Sequence, residues 1–418
     1  MKTLDIAIIG AGPAGLATAL YLERLGHRSV IFERFESVAP VGSGLMLQPT
    51  GLTVLHDLGL HSEILLLGHP IDRLIGIDST TRRPVLDVRY DALKRGRFGL
   101  AVNRPALFNI LHRAVVNCGI GILTGNPVES VDASSDGVLV ISENGASLGR
   151  FGLVVDTSGA RSQLRRFARF PCEPRPLAYG ALWAMLNWHG DNFESHALTQ
   201  RYDKASVMIG VLPTGRLETG GCDKAAFFWS IKPADFAAVK TAGLQAWKDR
   251  VLGYWPECEV YLGQIERFQD MTLAHYGHHT LRVPAGNKIA FVGDSAHSTS
   301  PQLGQGANMA LLDARALAHA MATAADVAEA LAVYAKARRA HVRVFQGLSA
   351  AFTPFYQSDS NTLAFIRDRL VSTLARISPA PQILASMVSG TLVDPFARIG
   401  LNECDWSQAS VANSLSQI

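Results

Sequence analysis

The stretch Ile6-Ala7-Ile8-Ile9-Gly10-Ala11-Gly12-Pro13-Ala14-Gly15 decides the fold of this chain. An apolar run of strand length ends at Gly10, and a segment of good helix formers with apolar periodicity begins at Pro13. A second apolar run, Ser29-Val30-Ile31-Phe32-Glu33, predicts the next strand. A strand, a G-x-G-x-x-G turn, a helix and another strand together predict a βαβ unit, which starts a parallel sheet covered by helices.

Each glycine of this turn has a mechanical role that predicts a bound pyrophosphate. Gly10 permits the tight turn, Gly12 lets the backbone approach the phosphates, and Gly15 allows the helix to lie close to the strand. The helix N-terminus adds free N–H groups and the positive end of its dipole. Glu33, at the end of the second strand, is predicted to accept a hydrogen bond from a ribose hydroxyl and to repel a 2′-phosphate. The turn predicts an adenosine diphosphate group without deciding between FAD and NAD.

A second motif lies towards the other end of the chain, in Phe291-Val292-Gly293-Asp294-Ser295-Ala296-His297 and Pro301-Gln302-Leu303-Gly304-Gln305-Gly306-Ala307-Asn308. The apolar run that ends at Gly293 predicts a strand that rejoins the first sheet and presents Asp294 to sugar-like hydroxyls. Gly304 and Gly306 let backbone N–H groups approach a flat ring, and a helix follows them. His297 is expected near this site in a packing or hydrogen-bonding role.

Composition excludes several classes of protein. The 418 residues are 48% hydrophobic and 18% charged, as in a globular protein with a large core. A net charge of +3 without a dense basic run does not indicate a nucleic-acid partner. The five cysteines are scattered, which predicts reduced thiols, no metal site and a cytoplasmic location. We expect no integral membrane segment, because no apolar run reaches the roughly 18 residues of a span.

The middle of the chain differs in character from both ends. Short strand-like runs with many aromatic residues predict an antiparallel sheet that carries an apolar pocket. An Asp136-Gly137 turn predicts a hairpin, and the glycines within residues 39–47 predict a mobile or close-approach loop, with an ordinary surface connection as the alternative. Residues 360–377 predict one packed amphipathic helix, and the polar tail from Asn402 is expected to fray. Candidate substrate-lining residues in the sheet are Trp183, Tyr202, Met208 and Phe228.

With these motifs the chain resembles the single-component aromatic-hydroxylating flavoprotein monooxygenases of the para-hydroxybenzoate hydroxylase fold. The resemblance covers residues 1 to about 350. It implies an α/β fold in which a Rossmann-like FAD-binding domain (1–72, 98–172 and 281–350) is interleaved with an antiparallel-sheet substrate domain (73–97 and 173–280). C-terminal helices and a tail (351–418) follow.

The resemblance also assigns a cofactor site. It implies that Arg104 contacts the flavin cofactor, that Asp294 holds the ribityl chain, and that the loop from Pro301 to Gly306 lies beside the isoalloxazine ring. The complete set of expected FAD-binding residues is Gly10, Gly12, Pro13, Ala14, Gly15, Glu33, Arg34, Gly44, Arg104, Asp294, Pro301, Gly304, Gln305, Gly306, Ala307 and Asn308.

The activity implied by the resemblance is a monooxygenase cycle. NADH or NADPH reduces FAD, dioxygen adds at flavin C4a, and the hydroperoxide transfers one oxygen atom to a small aromatic or heteroaromatic substrate. A monomer or homodimer is expected. Two alternatives stay open at this point: a reductase or oxidase of the same fold that inserts no oxygen, and a non-enzymatic flavin-binding protein.

One departure from the family pattern concerns the middle motif. The family has Asp-Gly-x-x-Ser-x-x-Arg, whereas this chain has Ser158 in place of the aspartate, with Gly159, Ser162 and Arg165 retained. FAD binding is expected to survive this substitution, whereas the efficiency or mode of nicotinamide use is in question. Asp156, which lies on its strand two residues upstream, is not expected to compensate for the missing aspartate. No catalytic base can be identified, and the histidines at 275, 278 and 279 predict a surface cluster in a loop rather than a metal site.

Overall fold

The computed structural model describes residues 1–37, 43–371, 375 and 377–408. The strands are β1 (Asp5–Ile9), β2 (Arg28–Phe32), β3 (Gly44–Leu47), β4 (His69–Ile71), β5 (Arg73–Asp78), β6 (Pro84–Arg89), β7 (Gly99–Asn103), β8 (Gly121–Leu123), β9 (Val128–Ser134), β10 (Gly137–Ser142), β11 (Ser147–Phe151), β12 (Leu153–Asp156), β13 (Arg175–Pro176), β14 (Gly180–Asn187), β15 (Ala197–Asp203), β16 (Val207–Gly215), β17 (Lys224–Ile231), β18 (Thr272–Ala274), β19 (Gly277–Thr280), β20 (Ile289–Phe291) and β21 (His297–Ser298). The helices are α1 (Pro13–Arg24), α2 (Pro49–Asp57), α3 (His61–Leu67), α4 (Arg104–Asn117), α5 (Phe236–Ala242), α6 (Leu244–Tyr254), α7 (Glu259–Leu262), α8 (Gly306–Thr323), α9 (Val327–Tyr356), α10 (Asn361–Ile366) and α11 (Ala380–Val388).

The first sheet is parallel and has five strands in the order β20-β12-β1-β2-β8. Ile6, Ala7 and Ile8 of β1 are fully buried, as expected for a parallel strand covered on both faces. The apolar side of α1 and most of α8 belong to the core on one face. From β1 the chain runs to β2 on one side and later returns to β12 on the other. The carboxyl end of β1 is therefore a topological switch point, where ligands bind in such sheets.

The second sheet has seven strands in the order β18-β14-β17-β16-β15-β5-β6, and only the β15–β5 pair is parallel. Two early strands, β5 and β6, thus join strands that come about a hundred residues later. Strands of the first sheet lie between them in the sequence, so the two sheets are interleaved along the chain. One face carries its own core, in which Trp229 of β17 meets Trp247 of α6 with ring centroids 5.8 Å apart. The domain boundaries themselves stay a prediction.

Smaller sheets connect the two large ones. The three-stranded sheet β3-β7-β4 lies beside β16, where the Asn103 amide donates to the carbonyl oxygens of Thr214, at 3.2 Å, and Gly215, at 3.4 Å. The predicted hairpin at Asp136-Gly137 is present as β9 and β10, with Ser134 opposite Gly137.

Two predictions of local structure were wrong where the structure describes them, and a third is tested only in part. Of the loop expected over 39–47, residues 39–42 lie outside the described residues, and Gly44–Leu47 form β3 because they pair with β7. The helix expected over 360–377 is α10 followed by a π-helical turn at Arg367–Val371, where the buried Arg367 guanidinium bonds to the Phe355 and Lys204 carbonyls. Of the tail expected to fray from Asn402, residues 409–418 lie outside the described residues, and within 402–408 the Trp406 side chain is packed, with 3% exposure.

In the described ranges, no helix combines the length and the apolar character needed to cross a membrane. The longest, α9, has 30 residues, and its N-cap Asp326 accepts a hydrogen bond from the Glu329 backbone N–H.

Candidate active site

The glycine turn after β1 has the geometry of a phosphate cradle. Gly10 has a φ of +106° and donates its N–H to the Phe32 carbonyl at 2.8 Å. A Cβ at Gly15 would lie 2.0 Å from the Gly10 oxygen, so only glycine lets α1 approach the strand this closely. A Cβ at Gly12 would meet no described atom within 4 Å. The space above Gly12 is therefore open to a ligand.

The N-terminus of α1 borders this space. No described side chain caps the helix, and Pro13 and Ala14 are half-buried, so the first-turn N–H groups are available to an anion. Glu33 holds the turn, because its Oε2 accepts from Ala11 N at 2.8 Å and its Oε1 accepts from Phe35 N at 3.1 Å. Each oxygen keeps a second lone pair for a ribose hydroxyl. The adjacent Arg34 is exposed and lies 4.6 Å above the Phe35 ring.

The middle motif contains a buried carboxylate that the sequence reasoning dismissed. Asp156 Oδ1 accepts from the N–H of Ser158 at 2.9 Å and from its hydroxyl at 2.6 Å, and Oδ2 accepts from the Ser162 hydroxyl. Burial raises the pKa of Asp156, although these hydrogen bonds oppose the shift. The acidic group two residues upstream of the expected position is thus fully buried, and position 158 itself has an uncharged side chain. That Asp156 does not compensate for the missing aspartate stays a prediction.

Asp294 is at the carboxyl end of β20, on a short turn that begins with Gly293 at a φ of +68°. The Asp294 side chain is exposed to the open cleft. The walls of the cleft nevertheless surround its carboxyl group, and this desolvation raises its pKa. A Cβ at Gly306 would lie 3.9 Å from Asp294 Oδ1, so the carboxyl group faces the first turn of α8. A hydroxylated chain could be held between them.

Arg104 faces the same cleft from another element. It begins α4, donates its backbone N–H to the Ser43 carbonyl at 3.3 Å, and exposes its guanidinium. Its positive charge lowers the pKa of both Asp294 and Tyr276, against the larger effect of burial on each. The three side chains therefore share one electrostatic environment. Gly44, whose Cβ would lie 2.6 Å from Thr214 Cγ2, lets β3 approach β16 nearby.

The loop from Pro301 to Asn308 is fixed by the side chain of Asn308. Its Nδ2 donates to the Met46 and Gly304 carbonyls at 3.0 and 2.9 Å, and its Oδ1 accepts from Gln48 N at 2.8 Å. Gly304 is left-handed, with a φ of +60°. The expected FAD-binding members Pro301 and Ala307 are exposed and half-buried, respectively, and Gly306 is half-buried in the first turn of α8.

The Gln305 side chain is 2% exposed and is buried beneath this loop. Its amide donates to the Val388 carbonyl at 2.6 Å and also to the Leu303 carbonyl at 3.4 Å. Any contact of Gln305 with a cofactor is therefore left to its backbone. Gln48, which the sequence reasoning missed, lies near Gly304, because a Cβ there would be 3.6 Å from Gln48 Nε2.

An aromatic group lies on the sheet side of the cleft. Trp183 of β14 is opposite Phe228 of β17, and their ring centroids are 4.7 Å apart. Trp183 Nε1 donates to the Tyr276 hydroxyl at 2.9 Å, which leaves the Tyr276 proton available to another acceptor. Burial raises the pKa of Tyr276 to about 12, so its hydroxyl is a neutral donor at pH 7. Sequence reasoning missed Tyr276 because a single tyrosine in a loop carries no pattern.

The other two candidate substrate-lining residues lie deeper. Tyr202 and Met208 belong with Phe228 to one buried apolar cluster, which Tyr356 of α9 completes. The Tyr202 ring lies 5.6 Å from that of Tyr356, and the Arg367 guanidinium lies 5.1 Å from the Tyr202 ring. The structure thus brings all four candidates together, with Trp183 the least buried of them.

The expectation of a surface histidine cluster was wrong for His279. Its side chain is 4% exposed in β19, and Arg165 Nη1 lies 2.9 Å from its Nε2. Nε2 also lies 3.2 Å from the Ser295 carbonyl oxygen, and Nδ1 lies 2.7 Å from the Ser298 hydroxyl. Burial, and then Arg165, lower the pKa of His279 to about 4. His279 is thus a neutral structural group, while His275 is exposed and His278 half-buried.

A buried ion cluster supports the Gly293–Asp294 turn from below. Asp313 of α8 accepts from Gly293 N at 2.9 Å, from His297 Nε2 at 2.6 Å and from Arg338 Nε at 2.6 Å. Burial opposes ionisation of Asp313, but His297 and Arg338 hold its pKa well below the usual range. The hydrogen-bonding role expected of His297 is the one it has. Asp313 and Arg338 were missed, because each lies inside an ordinary helical pattern.

These residues fit FAD. The open cradle at Gly12, the acceptor Glu33 and the free N-terminus of α1 suit an adenosine diphosphate group. Asp294 suits a ribityl chain, and the N-terminus of α8 with its glycine loop suits the electron-rich part of a flavin ring.

Comparison with known proteins agrees with this geometry. Residues 3–346 match the family model described as FAD binding domain. The chain is 24% identical to the aurachin C monooxygenase/isomerase of Stigmatella aurantiaca over 90% of its own length and 96% of the relative's. It is 24% identical to a probable 2-heptyl-3-hydroxy-4(1H)-quinolone synthase of Rhodococcus erythropolis, over 94% and 98%.

Among solved structures, Klebsiella pneumoniae HpxO in complex with FAD and uric acid has a TM-score of 0.78 at 19% identity, over 93% of this chain and 97% of that one. The tetrameric form of 2-methyl-3-hydroxypyridine-5-carboxylic acid oxygenase has a TM-score of 0.77 at 19% identity, over 97% and 100%. The chain therefore belongs to the FAD-binding-domain family and is an FAD-dependent monooxygenase with the para-hydroxybenzoate hydroxylase fold.

Proposed function

We propose that this enzyme uses NADH or NADPH and dioxygen to hydroxylate a small aromatic or heteroaromatic substrate. The observation that carries the proposal is the aromatic pair Trp183 and Phe228, joined through Tyr276 to the cleft that Arg104 and Asp294 share. Flat rings and one directed hydroxyl are what a planar substrate with a single polar edge requires. A cytoplasmic location and a monomeric or homodimeric state stay predictions.

When bound, FAD supplies the redox chemistry, taking electrons from the nicotinamide and activating dioxygen. The chain holds and orients it. The first turn of α1 binds the pyrophosphate, Glu33 the ribose and Asp294 the ribityl hydroxyls. The N-terminus of α8 stabilises the negative charge of the reduced ring. The sheet excludes water from the face on which the substrate lies.

Tyr276 orients the substrate in this proposal. Its hydroxyl accepts from Trp183 and has its proton free for a carbonyl or phenolic oxygen of the substrate. One relative is named a probable 2-heptyl-3-hydroxy-4(1H)-quinolone synthase, and a 4(1H)-quinolone has a carbonyl oxygen on its ring, so quinolones are the first substrates to test.

Oxygen insertion is tested with labelled dioxygen. FAD-loaded protein is incubated with NADH or NADPH and with aromatic acids, phenols and quinolones, and consumption of the nicotinamide is measured. A compound that stimulates consumption should yield product that carries one labelled oxygen atom. Stimulated consumption whose product carries no label would instead establish a reductase or oxidase of the same fold.

Tyr276→Phe tests the site itself. Loss of one neutral hydrogen bond to the substrate should lower kcat/KM by roughly tenfold, and NAD(P)H consumption should yield less hydroxylated product. Tyr254→Phe is the matched control, because Tyr254 lies on α6, in the outer layer of the second core, and should leave both quantities unchanged. Unchanged kcat/KM in Tyr276→Phe would remove Tyr276 from the substrate site.

A further inference from the structure

A cavity of about 300 Å³ lies between α9 and the segment that follows β19. None of its lining residues belongs to the set expected to bind FAD or substrate. His297 and Asp313 form its inner wall, so it lies beside the buried cluster that supports the Gly293–Asp294 turn. Its volume is at the lower end of the range for small-molecule sites.

The charges that line this cavity are mainly positive. Arg282, Arg338, Arg339 and Arg343 face it, against the single carboxylate of Asp313. Asp313 already accepts hydrogen bonds from three donors and is in contact with Arg338 alone among these arginines. The other three arginines have exposed side chains at the mouth. The cavity therefore attracts anions.

Two buried side chains on its wall have polar atoms without partners. Arg338 is 2% exposed, and its Nη1 has no hydrogen-bond partner among the residues that the structure describes. Gln346 is 4% exposed, and neither Nε2 nor Oε1 of its amide has a hydrogen-bond partner among the described residues. Leaving such groups unsatisfied is costly, whereas the oxygen atoms of a ligand in the cavity could accept from Arg338 Nη1 and from Gln346 Nε2.

We propose that this cavity is a binding site for a small oxyanion, either a carboxylate or a phosphate, separate from the flavin and substrate sites. The oxyanion accepts from Arg338 Nη1 and the Gln346 amide, and Arg343 neutralises it at the mouth. Pro284 and Val342 supply apolar wall for the rest of an organic ligand. Arginine suits either anion, because its fork of donors matches the oxygens of both.

Calorimetry on the FAD-loaded protein tests the site, because bound FAD covers the phosphate cradle of α1. Inorganic phosphate and butyrate, a carboxylate without an aromatic ring, are titrated separately at low ionic strength, up to roughly 10 mM. One equivalent of phosphate, of butyrate or of both should bind, and the comparison identifies the chemistry of the natural ligand. Absence of saturable binding of either probe would overturn the proposal.

Variants locate the bound anion. Arg343→Ala and Gln346→Leu should each weaken binding by roughly tenfold or more, whereas Lys336→Ala, an exposed cation on the same helix, should not. Gln346→Leu should also keep or raise the Tm, because it removes two buried atoms without partners. Arg343 is exposed, so its variant should fold and retain FAD. Equal binding in wild type, Arg343→Ala and Gln346→Leu would place the anion elsewhere and refute the site.

Discussion

At the scale of single residues, Gly12 and Gly15 separate cofactor binding from folding. Gly12 has a φ of −72° and open space at its Cβ position, so Gly12→Ala should fold as stably as wild type. The added methyl group would project into the pyrophosphate space and should weaken FAD binding by tenfold or more, by roughly 1–3 kcal/mol. Gly15→Ala would place a Cβ 2.0 Å from the Gly10 oxygen and should destabilise the apoprotein itself.

The two effects are measured independently. Thermal unfolding of apoprotein reports on the fold, and quenching of flavin fluorescence gives the Kd for FAD. Ordinary FAD affinity in Gly12→Ala would contradict the assignment of the cradle, and an apoprotein of normal Tm in Gly15→Ala would contradict the packing argument.

Residue by residue, the sequence revealed the parts of the site that have a local pattern. The glycine turn, Glu33 and the Asp294 turn could be predicted, because each depends on the ends of adjacent elements. Gln48 could not, since it reaches the flavin loop through Asn308, 260 positions away in the chain. Tyr276 is likewise placed by its contact with Trp183, and Gln305 lies in the motif yet turns its side chain towards Val388.

At the scale of elements, the contact between α8 and α9 depends on the buried pair Asp313 and Arg338. Asp313→Asn would leave the Arg338 charge buried without a carboxylate, which should lower the free energy of unfolding by roughly 3–5 kcal/mol. Because Asp313 also accepts from Gly293 N, the variant should release FAD more readily.

Urea unfolding of the FAD-loaded protein and the rate of FAD release are the two measurements. Asp326→Asn is the matched control, because asparagine caps a helix as well as aspartate does, and its effect should be within about 0.5 kcal/mol. An Asp313→Asn protein as stable as this control would show that the ion pair does not hold the two helices together.

The sequence predicted the elements whose signals are local and missed those that depend on contacts with distant segments. The βαβ unit has matching propensity, periodicity and turn residues, so its bounds followed from the sequence. The β3 strand is short and glycine-containing, and only pairing with β7 makes it a strand. The π-helical turn at Arg367–Val371 depends on carbonyls that Arg367 meets in distant segments, at Phe355 and Lys204.

At the scale of the whole molecule, the flavin cleft lies where the two large sheets meet. The parallel sheet contributes the switch point after β1, and the antiparallel sheet contributes the aromatic side. Asn103, which directly precedes Arg104, joins β7 to β16. The Ser295 hydroxyl donates to the Asp156 carbonyl at 2.7 Å, which joins the Asp294 turn to the middle motif. Stability of the fold and order of the site are consequently coupled.

Global stability should fall with acid over a defined range of pH. Burial lowers the pKa of His279 to about 4 and that of His341 to about 3, from a usual value of 6.5. Below pH 6.5 the unfolded chain binds protons at these histidines and the folded chain does not. The free energy of unfolding is therefore full above pH 6.5 and should decrease by about 1.4 kcal/mol per pH unit for each histidine as the pH falls towards 4. Urea unfolding at several pH values measures this slope. The double variant His279→Asn, His341→Asn should flatten it, the exposed His275→Asn should not, and an unchanged slope in the double variant would show that these buried rings do not govern acid stability.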